Sequence, residues 1–406
     1  MASITNYSMR KYLIAFALLL LGTAQQVSAD EKDKMFNPVN TGVAFMDIAP
    51  DARGGGMGDI GAATEADVSS QYWNPAKYPY CIGRAGLAIN YTPWLRQIVN
   101  DIDLAYMSGF YRIGDYSAVS TSLRYFSLGE VSMSQGEGQG AASGMTIKPY
   151  ELAFDVAYSR MLSENFSAAV ALRYIYSDIT FDYTAEASGG SAFAADIALY
   201  YNRYVMMGSR ECNLAFGLNI SNIGSKISYG GDDNAEFIPT NLRLGMNWLI
   251  PLNEYNKLSI AADANKLLVP TFPKQDTENG ETNEDYQARL QKDYYDISPI
   301  AGIFKSFGDA PNGFKEEMQE IQWSVGMEYS YNDRFILRGG YHHESANKGN
   351  RKYFTVGAGF RMSVFSLDCG YVFSTAQSNP LDQTMRFTLG FDLDGMKDLF
   401  GRRRRR

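Results

Sequence analysis

Ile321-Gln322-Trp323-Ser324-Val325-Gly326-Met327-Glu328-Tyr329-Ser330-Tyr331 alternates without a break between large apolar and small or polar side chains. Such a period of two is that of a β-strand, whose successive side chains point to opposite faces. The same alternation returns in Met385-Phe387-Leu389-Phe391-Leu393 against Thr384-Arg386-Thr388-Gly390-Asp392, and it recurs from about Arg84 to Leu393. The apolar face is dense in Tyr, Phe and Leu. The other face carries Gly, Ala, Ser and scattered charges. A soluble sandwich would bury its apolar face; a transmembrane barrel turns that face to lipid and keeps the polar one for its lumen. The chain therefore reads as all-β: an outer-membrane β-barrel of about 14 antiparallel strands with an N-terminal plug segment.

Composition agrees. Mean hydropathy is -0.26, too low for a helical membrane protein, but alternation hides the hydrophobicity of a barrel. Aromatic residues make up 14%, with 28 Tyr and 23 Phe, enough for interfacial girdles. The formal net charge of -8 argues against a nucleic-acid surface. At the N-terminus, Arg10 and Lys11 precede the apolar stretch Tyr12 to Leu21, and Val27-Ser28-Ala29 forms a small-x-small cleavage site. This is a secretory signal peptide; the stretch is too short for an anchor, which needs about 20 apolar residues. The expected divisions are 1–29 signal peptide, 30–80 plug, 81–395 barrel and 396–406 basic tail.

Strands are expected at 84–92, 101–113, 116–128, 148–161, 165–181, 192–203, 212–222, 237–249, 257–268, 320–331, 335–344, 353–362, 366–375 and 384–394. Short connections such as Gly114-Asp115 and Asn332-Asp333-Arg334 alternate with long ones such as 129–147 and 269–319. In bacterial barrels short turns face the periplasm and long loops the exterior, which puts both termini in the periplasm. The first long-side loop, 92–100, holds Pro93, Trp94 and Leu95, expected to be exposed and candidates for partner binding. The connection 269–319 is long enough to be functional or disordered, and 276–291 is a candidate helix. On the polar faces, Arg in place of Thr388 is expected to be tolerated if the lumen has room, unlike Arg in place of Leu389 or Phe387.

No catalytic set is recognisable. There is no Gly-x-Ser-x-Gly elbow, no Cys–His pair and no His–carboxylate cluster of metal-binding spacing. His342 and His343 are neighbours and point to opposite faces of a strand. Three cysteines, Cys81, Cys212 and Cys369, leave at least one thiol unpaired, with a Cys81–Cys212 bridge left open. Glu151, Asp155, Arg173, Glu328, Asp368 and Arg386 fall on lumen-facing positions, where a charge network that holds a plug is the simpler reading than catalysis. Arg53 and Asp59 are the candidates for the plug side of that network. Neither a cofactor nor a metal is expected. The run Arg402 to Arg406 reads either as a basic tail attracted to anionic headgroups or as an appended sequence.

Ahead of the strands, residues 46–80 are Gly-rich and do not alternate. Asp51-Ala52-Arg53-Gly54-Gly55-Gly56-Met57-Gly58-Asp59 lacks the Lys-Ser/Thr that a phosphate loop requires; a backbone crossing inside a barrel explains the glycines better. A short helix is expected in 62–70. The segment from Ile48 through Asp51, Arg53, Gly56, Met57, Gly58 and Asp59 to Trp73-Asn74-Pro75-Ala76-Lys77 resembles the N-terminal signature of the PorV (LptO) family, outer-membrane proteins of the type IX secretion system of Bacteroidetes related to FadL-type barrels. The resemblance implies partners: the translocon barrel SprA or Sov, the C-terminal signal domains of secreted cargo, and an attachment complex with PorU, PorZ and PorQ, all beside outer-membrane lipids. It implies a binding and shuttle role without catalysis. The competing reading is a FadL-type transporter of hydrophobic small molecules, in which the lumen is the site. An enzyme acting on lipid A would need a constellation the sequence does not offer.

Overall fold

The computed structural model describes residues 36–96, 99, 101–133, 145–179, 189–229, 234–275, 280–375 and 381–395. The expected signal peptide and the arginine tail lie outside these described residues. Fourteen strands form the barrel: β1 (Ala85–Pro93), β2 (Asp103–Ile113), β3 (Ser117–Ser127), β6 (Tyr150–Ser163), β7 (Phe166–Asp178), β8 (Gly190–Met207), β9 (Arg210–Gly224), β10 (Asn241–Pro251), β11 (Asn256–Leu267), β12 (Gln322–Tyr331), β13 (Phe335–His343), β14 (Lys352–Arg361), β15 (Phe365–Ser374) and β16 (Met385–Asp392). A two-stranded ribbon, β4 (Val131–Met133) with β5 (Met145–Ile147), lies in the connection between β3 and β6. Each barrel strand pairs antiparallel with its chain neighbours, and β1 pairs with β16 from Gly86↔Asp392 to Tyr91↔Phe387, closing the sheet. Closure is a necessity in lipid, where an unpaired strand edge has no water to satisfy it.

The pleat sorts the side chains as the alternation requires. In β7, Val170, Leu172 and Tyr174 are 54%, 69% and 37% exposed on the outer face, whereas Ala169, Ala171, Arg173 and Ile175 are buried inside. In β16, Phe387 and Leu389 face out, and Arg386 and Thr388 are buried. Cys369 is half-buried in register with outward Phe387, and all three thiols are free. His342 is buried against Tyr353 while His343 stacks on the outward Trp323. At the turn from β12 to β13, Asn332 and Asp333 take φ 54° and 53°. Two left-handed residues in succession match the right-handed strand twist in a tight hairpin, and Asn and Asp tolerate them.

Two expectations change. Residues 62–69 are turns rather than helix, and single helical turns stand instead at Ala52–Gly55 and Ser70–Trp73. The inner face is also bonded at Thr388: its hydroxyl accepts from the Ala52 N–H at 2.8 Å and donates to Asn90 at 2.6 Å. Arginine there would forfeit both bonds and leave the Ala52 N–H and Asn90 without that partner, so free tolerance is not expected at this position even though the side chain borders a cavity.

Depth in the bilayer sets the next expectation. Leu389→Arg, central in β16, should destabilise the barrel by about 2–4 kcal/mol, and Tyr116→Arg, at a turn and 63% exposed, by about 0–1 kcal/mol. Reversible unfolding in liposomes measures both; equal penalties would mean that the two positions do not differ in bilayer depth as described.

Candidate functional site

The plug begins with backbone that can pass very close to the wall. Inward strand positions Gly326 and Gly340 abut the Met57 carbonyl, where any Cβ would collide with main chain. Gly357 lies against Gly56, with 3.0 Å from a would-be Cβ on Gly56 to the Gly357 Cα. Gly58 takes φ 84° against the Tyr341 backbone, a conformation that side chains resist. These glycines explain why the polar faces are poor in bulk: the lumen is filled by chain.

The motif residues build the plug's own frame. Asp51 caps the turn Ala52–Gly55 by accepting from Gly54 N–H at 2.8 Å, and its other oxygen accepts from the Trp73 indole. Glycines 54 and 61 leave space for that indole ring. Asn74 donates to Ala62 O at 3.0 Å and Leu199 O at 2.9 Å and accepts from Ala76 N–H, while Pro75 opens the turn Pro75–Tyr80. Lys77, fully buried, donates to Gly61 O at 2.7 Å and Thr64 Oγ1 at 3.1 Å. Burial pushes its ammonium down to about 8, as expected for a cation held mainly by neutral acceptors.

Charge then fixes the frame to the wall. Arg53 forks onto Glu328, with both N–H···O distances 3.0 Å, and reaches Asp67 at 2.8 Å. Glu328 also meets Arg338 at 2.6 Å, and Arg338 continues to Asp368 at 2.6 Å. Asp59 pairs with Arg386 and accepts from Tyr353. Asp263 accepts the Gly61 and Ala62 N–H groups at 2.9 and 3.0 Å. Across the lumen, Arg173 joins Asp155 and Asp196, and Gln71 of the plug donates to Asp155 at 2.7 Å. A register shift between Ala195 and Ile197 leaves Asp196 without a partner in β9, while on the other side it pairs with Ala171 of β7, diagonal to Arg173. Burial raises the carboxyl of Asp67, yet Arg53 and Lys77 beside it leave it below its ordinary value. The sequence reading missed Asp67, Asp196, Asp263 and Arg338. The last three lie on inward positions that the alternation marks; Asp67, in a turn, carries no periodic signal.

At the rim of long connections, Pro93 ends β1 and Leu95 takes φ 54°. The chain turns in at that point, so Trp94 and Leu95 are half-buried and not exposed as expected. Trp94 packs on the cluster of Phe45 and Phe126, and both residues pack on the cluster of Tyr353, Val372 and Leu381. The connection between β11 and β12 is folded. Helices Asn283–Leu290, Pro299–Lys305 and Phe314–Gln319 lie in it, over a core of Phe237, Val269, Leu290 and Tyr294. Lys266 meets Glu317 and Glu320, and Lys348 meets Glu316 and Glu320, all deeply buried. Asn37 adds a bond to Glu316 at 3.0 Å. On the outside of this clamp Ile300, Phe304, Phe307, Phe314 and Met318 are 63%, 74%, 54%, 79% and 50% exposed.

The sequence profile of the type IX secretion system protein PorV matches residues 29–274, more than half of the chain. The chain belongs to the PorV family. It is thus an outer-membrane barrel associated with the type IX secretion machinery. No curated protein matches the chain. Among solved structures it is similar to FadL-like channels and transporters. One is a TodX deltaS2S3 mutant monoaromatic hydrocarbon channel (10% identity, 84% of this chain and 99% of that one, TM-score 0.49). Others are the toluene transporter TodX of P. putida (10%, 85% and 98%, 0.46) and a FadL homologue of Pseudomonas aeruginosa (11%, 88% and 99%, 0.41). Likeness at this level carries no ligand over to the PorV-family chain.

Arg53→Ala should cost about 3–5 kcal/mol, because a buried pair loses one member and leaves charge behind. Gly340→Ala should loosen the plug by a different route, the collision with Met57. Protease cleavage within 46–77 in the folded, detergent-solubilised barrel reads both effects; cleavage no faster than in the unmodified protein would contradict the packing described.

Proposed function

We propose that this PorV-family barrel receives cargo of the type IX secretion system at its long-connection rim. It binds the C-terminal signal domain as cargo leaves the SprA or Sov translocon and passes it to the attachment complex of PorU, PorZ and PorQ. In this reading the short turns and both termini face the periplasm, and the protein performs no catalytic step. The observation that carries the proposal is a division of labour in the structure. The lumen is occupied by ion-paired chain, while the rim offers a braced surface of exposed aromatic and aliphatic side chains. Contiguous exposed apolar groups mark interaction sites, and aromatic anchors dominate protein interfaces at about 2 kcal/mol or more each. Ile300 and Phe304, and likewise Phe314 and Met318, are four residues apart on their helices and so share a face.

Pro93, Trp94 and Leu95 have a different part in this reading. Half-buried at the mouth, they shape the recess inside the rim and hold its edge. The second reading, transport of a hydrophobic small molecule, is favoured by that recess, a cavity of about 800 Å³ with Phe45, Phe126 and Leu128 in its wall. Against it stands the plug below, whose Arg53 and Asp59 are ion-paired to the wall and whose backbone is wedged between strand glycines.

Replacing Phe304 and Phe314 by Ser should leave barrel assembly intact and reduce surface-attached cargo at least fivefold. Surface labelling of cargo in cells with equal amounts of each variant measures this. Full attachment in the double variant would remove the rim helices from the binding surface.

A further inference from the structure

Among the carboxylates on the inward faces of the described strands, one is treated unlike the rest. Asp155 and Asp196 share Arg173, Glu328 lies between Arg53 and Arg338, Asp368 meets Arg338, and Asp59 meets Arg386. Asp51 and Asp263 lack a direct cation but accept plug backbone N–H groups. Glu151, near the start of β6 and 5% exposed, has neither. Among the described residues its carboxylate meets one donor, the Ser177 hydroxyl at 2.8 Å, and no cation. Tyr229 in turn donates to Ser177 at 2.9 Å, so the hydroxyl protons run in one direction and end on Glu151. A buried carboxylate without a partner costs several kcal/mol unless it takes up a proton or a cation supplies the missing charge.

Glu151 lines the mouth cavity together with Phe45, Phe126, Trp94 and Leu95. The cations in that lining cannot serve it. Arg351 is held bidentate by Glu344 at 2.9 Å on each arm, and Arg386 is held by Asp59. Asp47 and Glu236, also in the lining, add further negative charge. The recess thus combines an apolar wall with an excess of negative charge in its lining.

We infer that the recess recognises a partner segment carrying a basic side chain between apolar residues, with the cation on Glu151 and its neighbours against Phe45, Phe126, Trp94 and Leu95. This rests on the cargo-binding role proposed above and names the chemistry of what is bound. A charge-assisted hydrogen bond in a site shielded from water is among the strong ones, and a desolvated charge pair ringed by apolar contacts is what makes an interface selective. An uncharged hydrocarbon would satisfy the wall and leave Glu151 as it is.

The test uses the full chain in lipid nanodiscs, titrated calorimetrically with three blocked peptides: acetyl-Leu-Lys-Leu-amide, its norleucine counterpart and its glutamate counterpart. The lysine peptide should bind at least tenfold tighter than the norleucine peptide, and the glutamate peptide weakest. Glu151→Gln should abolish the lysine preference and leave norleucine affinity within twofold. Equal affinities for lysine and norleucine in the unmodified barrel overturn the inference, as does absence of peptide binding or a lysine preference that survives Glu151→Gln. The ranking in the unmodified barrel stands as a test even if the variant does not fold. A purified cargo signal domain in the same assay separates the two claims: if it binds while lysine preference is absent, only this inference fails. If the signal domain does not bind at all, the cargo-binding role fails with it.

Discussion

Arg53 sits where plug and wall become one structure. Its guanidinium closes a fork with Glu328 of β12 and a third contact with Asp67 of its own segment. An arginine with five donors in a fixed plane suits such a junction, which a lysine point charge could not hold in one orientation. From Glu328 the pairing extends through Arg338 to Asp368, so β12, β13 and, across β14, β15 are tied to the plug. Remove this constraint and the inward glycines, small side chains and matched charges of the barrel have no reason to be where they are.

The filled lumen decides where recognition can take place. Below the mouth, the close contacts of Met57, Gly56 and Ala62 with strand backbone leave small enclosed spaces, one of about 20 Å³ and one of about 30 Å³. Such volumes suit one or two waters and do not admit a substrate. On the side of the long connections, the mouth cavity and the folded connection between β11 and β12 are the places where a partner can engage; a separate cavity of about 250 Å³ lies at the short-turn end, lined by Arg53, Cys81 and Phe365. The buried lysine–glutamate clamp matters for the same reason. It orders a long connection that would otherwise need to be ordered at the moment of binding, at a cost in affinity.

The barrel was legible because lipid imposes a strict demand, one continuous apolar face per strand, and alternation writes that demand into sequence. Strand ends shifted by at most a few residues, as at β10, which starts at Asn241 instead of 237. The rim was less legible because its conformation turns on single backbone choices. Leu95 in the left-handed region carries Trp94 and itself inward, and nothing in Pro-Trp-Leu announces it. Helices of the long connection depend on contacts with Lys266, Lys348 and Asn37, far away in sequence. The bonding of Thr388 to the plug was invisible for a similar reason: it depends on Ala52 lying opposite, a contact made across 336 positions of chain. The candidate site was legible in its charges wherever they fell on alternating strands, Glu151 among them, but not in which of those charges would remain unmatched.

The central claim is that the lumen is closed and that the chain therefore works at its rim. Single-channel recording of the full-length protein in planar bilayers tests it most directly. A plug held by buried ion pairs and backbone wedged between strand glycines predicts no steady ionic current at moderate voltage. A stable open-pore conductance in the unmodified protein would contradict the account, because it would mean that a water-filled path runs through the space assigned here to the plug.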